Sequence, residues 1–182
     1  MSILLMVVAA YTLVPPVRIA LVFAPPRALP PAVERAAVAE AAAIWRPHGV
    51  AIASIDPSGA PAEVAELTVV IGTSPRSGSV PPDALGAVEF ASDGTPGRVI
   101  TIFPDRVKRL LDDARLADLP LSQWPPKARD SMIGRALGRI IAHEIGHIVL
   151  RSKRHARSGL MSAVYRRDDL VAPARGLYRL RN

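Results

Sequence analysis

The chain has 182 residues, 49% of them apolar, which suits one domain with a real core and is too short for two full ones. The same composition excludes a fully disordered chain. It contains no cysteine, so disulfides, Cys-type metal sites and thiol catalysis are excluded, and any metal must be held by His, Asp or Glu.

The net charge of +7 is uneven: residues 1–91 carry five Lys/Arg against seven Asp/Glu, and residues 92–182 carry eighteen against nine. Such a field favours acidic partners, nucleic acid or anionic membrane, although arginine that merely solvates a surface is the commoner cause. Residues 1–16, MSILLMVVAAYTLVPP, form an apolar start that reads as an export signal of atypical form, a membrane-associated segment or a first strand. It lacks a positive residue near the start and its apolar run is short. No stretch reaches the roughly 20 apolar residues of a membrane span.

From residue 17 to 182 the pattern is that of a single domain. VRIALVF (17–23) is a nearly continuous apolar run and predicts a buried strand. Pro30-Pro31 then opens an alanine-rich segment in which Val33, Ala37, Ala41 and Ile44 recur at helical spacing, so a helix runs to about Arg46, where Pro47 and Gly49 stop it. VAIASI (50–55) and LTVVIG (67–72) predict two strands joined by a Pro/Gly/Ser turn. SPRSGSVPPD is a loop by composition. ALGAVEF (84–90) and RVITIF (98–103) predict two further strands around a turn at Asp93-Gly94 and Pro96-Gly97, the first polar enough to lie at an edge. PDRVKRLLDDARL (104–116) predicts a helix, followed by a proline-rich connection. From Ser131 the chain shows its longest helical periodicity, SMIGRALGRIIAHEIGHIVL.

That last helix carries HEIGH. His143 and His147 are four apart and stand one turn above the other on one face, so two imidazoles can meet one ion. Glu144 sits about a quarter turn away, beside such an ion, where a carboxylate can take a proton from water. This is the His-Glu-x-x-His pattern, in which zinc is the usual ion and the glutamate is the general base. Gly138 and Gly146 replace better helix formers and predict close backbone packing around a site. A catalytic zinc needs a third protein ligand and an open position. No glutamate follows Glu144, which leaves His155, Asp168 and Asp169 as the downstream candidates.

HARSGLM (155–161), placed after the HEIGH helix, resembles the metzincin clan of zinc peptidases, in which a third His is followed by a tight turn with a methionine beneath the metal. The order of predicted elements over residues 17 to 165 is similar as well. The family pattern has Gly and then His where this chain has Leu150 and Lys153, and His155 comes two residues late, so the helix exit must be made differently, over a longer turn at 151–153.

The resemblance implies an α/β (α+β) zincin-like fold. A twisted mixed sheet of about five strands would place an edge strand over the cleft and pack on the active-site helix. It implies His143, His147 and His155 as zinc ligands, Glu144 as catalytic base, Met161 as the turn methionine, and a peptide or protein substrate lying along ALGAVEF. The expected protein is a monomeric zinc-dependent peptidase acting through a metal-activated water. Tyr165 is near enough to the turn to face the metal but is not assigned a role. Two other classes remain open: a zinc-binding interaction domain without turnover, against which Glu144 argues, and a nucleic-acid-binding protein built on RSKRHAR and YRRDD. The second lacks clustered aromatics and a recognisable module, so no nucleic acid is expected.

Overall fold

The computed structural model describes residues 17–25, 28–55, 64–73, 80–112, 114–116 and 118–180. The apolar segment 1–16, most of the turn expected between the second and third strands, and residues 74–79 of the expected loop lie outside them.

The described residues form a mixed α/β structure with a five-stranded mixed sheet, a two-stranded hairpin and four helices. The strands are β1 (Val17–Ala24), β2 (Val50–Ser54), β3 (Ala65–Ile71), β4 (Gly86–Phe90) and β5 (Pro96–Ile102). In space they run β2-β1-β3-β5-β4. Pairs β1–β2, β1–β3 and β3–β5 are parallel, and β4 joins the edge antiparallel to β5. Register follows the apolar pattern. Ile19 lies opposite Ile52, Leu21 opposite Leu67 and Val69 opposite Ile100, all buried. A one-residue slip would turn this whole set to the other face.

Helix α1 (Pro31–Trp45) packs over β2 and helix α3 (Pro126–Val149) over β5 and β4, with the two helices side by side. Their contact is backbone-close: a Cβ at Gly134 would overlap Ala36 and the Val33 carbonyl, and one at Gly138 would overlap the Ala37 carbonyl. Gly138 therefore serves the packing of α3 on α1, not the surroundings of a site as its place in the sequence suggested.

Three boundaries differ from expectation. Helix α2 (Pro104–Leu111) ends five residues before 116. Asp112 stands at its C-terminal end, where a carboxylate opposes the helix dipole, and the chain turns instead into the hairpin β6 (Arg115–Leu116) and β7 (Leu119–Pro120) around Asp118 at φ 67°. Helix α3 starts at Pro126, inside the stretch read as a connection, because proline at the first helical position is as well placed there as at Pro31 and Pro104. Pro96 and Gly97, read as turn residues, begin β5. A strand tolerates proline at its first residue, and Gly97 lets β5 close on the Glu89 carbonyl. The fourth helix, α4 (Arg167–Val171), is short. No helix among the described residues is long and apolar enough to cross a membrane.

Candidate metal centre

The last two turns of α3 bury three polar side chains, His143, Glu144 and His147. Each histidine has one ring nitrogen held by a backbone carbonyl: His143 Nδ1 lies 2.8 Å from the Leu160 oxygen and His147 Nδ1 2.6 Å from the Ser152 oxygen. A carbonyl only accepts, so both Nδ1 atoms carry the proton and both Nε2 atoms present lone pairs. Those two Nε2 atoms face one another at 3.1 Å. Two bare acceptors at that distance repel unless a cation lies between them. Tetrahedral ligands at about 2.0–2.1 Å from an ion stand ~3.3 Å apart, so the spacing fits a shared metal.

Helix α3 leaves this site by a Schellman turn. Ser152 N–H donates to the His147 carbonyl and Arg151 N–H to the Ile148 carbonyl, with Arg151 left-handed at φ 47°. The exit that a glycine at position 150 would provide is thus made one residue later and by an arginine. This is the longer turn anticipated at 151–153, and it also aims the Ser152 carbonyl at His147.

The chain then doubles back: Ala156 N–H donates to the Met161 carbonyl at 2.7 Å, and Gly159 takes φ 91° at the bend. His155 is swung into the site. Its ring centroid lies 5.2 Å from that of His143 and 4.9 Å from that of His147. Ligand-capable nitrogens of all three histidines lie within 4.8 Å of one another, so the group can hold a metal ion. Met161 is buried with its sulfur against Gly146, where any Cβ would overlap it. Burial lowers the proton affinity of all three rings, that of His143 to about 4, which favours the neutral form that metal ligation needs.

Glu144 lies beneath the edge strand. A Cβ on Gly86 would come within 2.8 Å of its Oε1, so the missing side chain lets β4 settle on the carboxylate. Burial pushes the Glu144 carboxyl up to about 8, into the range where a group both takes and gives protons near neutral pH. Strand β4, α2, the three histidines and Tyr165 line one cleft of about 1030 Å³.

The two competing carboxylates are employed elsewhere. Asp169 Oδ2 accepts from the Arg166 N–H at the start of α4, and Asp168 is exposed beside Arg167. Tyr165 stands behind His143, not on its Nε2 side. Its hydroxyl donates to the same Leu160 oxygen and lies 3.2 Å from His143 Nδ1.

Sequence reasoning missed what holds that oxygen in place. Leu160 N–H donates to the Arg179 carbonyl, Tyr165 stacks on Tyr178, and Tyr178 lies against the fully buried Arg139. Arg139 in turn pairs with buried Glu40 at 2.9 Å and donates to the carbonyls of Asp169, Leu170 and Ala172. The available signals were an arginine on the apolar side of the long helix and a glutamate in an alanine-rich one. Comparisons with protein-family models, with curated proteins and with solved structures gave no match.

Proposed function

We propose that this protein is a zinc-dependent peptidase with a metzincin-like arrangement, in which His143, His147 and His155 hold the metal and Glu144 moves the proton. The carrying observation is the pair of lone-pair nitrogens 3.1 Å apart, each fixed in that tautomer by a carbonyl on its far side. Three neutral imidazoles suit zinc well and leave one coordination position for reactants. Zinc held there supplies Lewis acidity, which polarises a carbonyl and makes water acidic near neutral pH.

The chain's own groups divide the remaining work. The free edge of β4 offers backbone N–H and C=O groups to an extended peptide, which sets the scissile carbonyl over the histidines. Glu144 accepts the proton of the attacking water and returns it to the leaving amine, and its burial excludes competing solvent. Leu160 and Ser152, through their carbonyls, prevent the rings of His143 and His147 from turning. Met161, filling the notch at Gly146, supports the turn that carries His155.

The test is a Glu144→Ala comparison on zinc-loaded protein. Zinc content should remain about one per chain while peptide turnover falls about 10²–10⁴-fold, the usual worth of a general acid–base group. Equal turnover by the two proteins would refute the peptidase reading, and zinc bound by a parent that cleaves nothing would leave a metal-binding interaction domain.

A further inference from the structure

The chain beyond Glu144 is rich in positive charge. Residues 145–182 contain nine Lys/Arg and only two carboxylates, Asp168 and Asp169, both occupied with α4 as described above. Three cations line the cleft, Arg106, Arg109 and Lys153. Lys153 Nζ is 5.1 Å from the centre of the Phe90 ring, and that ring stands edge-on to His147 at 6.4 Å. Arg109 lines the cleft from α2, one turn beyond Arg106, which holds the Ala84 carbonyl just before β4. The metal centre lies between, with Glu144 under Gly86 and His147 against Phe90.

Neither Lys153 nor Arg109 has a carboxylate partner among the described residues. The exposed carboxylates Asp83 and Glu89 also line the cleft but form no ion pair with either cation.

We propose that the cleft takes an extended acidic polypeptide, one substrate carboxylate pairing with Lys153 on one side of the metal and another with Arg109 on the other side. The stretch from Leu85 to Phe90 spans ~17 Å at 3.4 Å per residue, which places the acidic residues two to three positions either side of the bond over the metal. A peptide is favoured over nucleic acid on two grounds. The free edge of β4 matches a peptide backbone, and of the two aromatic rings beside the histidines Phe90 has Lys153 over its face while Tyr165 is stacked on Tyr178, which leaves no open platform for a base.

The inference rests on the peptidase reading, and its test separates the two. Zinc-loaded Glu144→Ala protein is titrated, by fluorescence anisotropy, with capped peptides identical except for Glu, Gln or Lys at the second and third positions on each side of the centre. The Glu peptide should bind about tenfold more tightly than the Gln peptide, since two exposed pairs together give about 1.4 kcal/mol. The preference should shrink at high salt, and Lys153→Glu or Arg109→Glu should each remove part of it. Equal binding of the three peptides, no binding at all, or a preference untouched by both charge reversals overturns the proposal. So does displacement of the Glu peptide by an oligonucleotide of equal charge, which would assign the basic surface to nucleic acid. Failure of the peptidase reading is a different result: peptides that bind as expected but are not cleaved by the zinc-loaded parent.

Discussion

Two successive stretches of α3 bury polar groups in opposite ways. In the first, Arg139 is fully enclosed yet every nitrogen of its guanidinium has a partner, in Glu40 or in three carbonyls at the end of α4, and its face lies on Tyr178. One turn later, His143 and His147 are nearly as buried but only half answered. Each Nδ1 has a carbonyl, and each Nε2 has the other's lone pair. A buried group with all its partners is structure, because nothing more can bind it. Buried groups whose remaining valences point at one another are arranged for a ligand that supplies the missing charge.

That contrast can be broken most directly by removing one residue from each stretch. Arg139→Ala should cost about 3–5 kcal/mol in denaturant unfolding, because Glu40 is left buried with only the half-exposed Arg175. Replacing both members, Glu40→Gln with Arg139→Met, should recover much of the loss. His143→Ala, measured on metal-free protein, should cost only about 1 kcal/mol for its hydrogen bond, yet abolish stoichiometric zinc. A large loss of stability in metal-free His143→Ala would place the histidines in the same structural class as Arg139.

A sharper cut separates His155, the proposed third ligand, from its competitors. His155→Ala should weaken zinc by more than about 100-fold, beyond the 10–100-fold that loss of an outer partner causes, whereas Asp169→Ala should leave zinc in place and loosen only the start of α4. Chelator competition reads both. Retention of zinc by His155→Ala with its loss in Asp169→Ala would reverse the assignment.

The sequence made the buried strands and both long helices legible, because Ile19, Leu21, Val69 and Ile100 alternate and Val33, Ala37 and Ala41 recur at the periods those elements require. His143 and His147 were legible for the same reason, since helical spacing alone puts them on one face. His155 was legible only through the resemblance, as no local rule fixes where a loop histidine points. Arg139 and Glu40 were not legible: they are 99 residues apart in the chain, and nothing short of the packing of α1 on α3 brings them together. The left-handed Arg151 was hidden too, since glycine is the residue that normally advertises such a turn.

A further expected effect, with no change to the metal site, is the pH dependence of the metal-free protein, where two neighbours on α3 act in opposite senses. Burial lowers His143 from 6.5 to about 4 and raises Glu144 from 4.5 to about 8. Below pH 6.5 the unfolded chain binds the histidine proton and the folded one does not until about 4, so His143 favours unfolding as the pH falls through that window. Glu144 keeps its proton in the fold up to about 8 but loses it at 4.5 when unfolded, so its contribution declines as the pH rises between those values. The two slopes offset one another from 4.5 to 6.5. Above 6.5 only the glutamate remains of the pair, and chelated protein should lose on the order of 2 kcal/mol between there and pH 8. Glu144→Gln has no proton to lose and should remove that decline, while zinc, placing a cation beside the carboxylate, should also flatten it in the parent. Denaturant midpoints at pH 6.5 and 8, with and without zinc, measure all three. A decline that persists in Glu144→Gln would mean that the buried carboxylate is not its source.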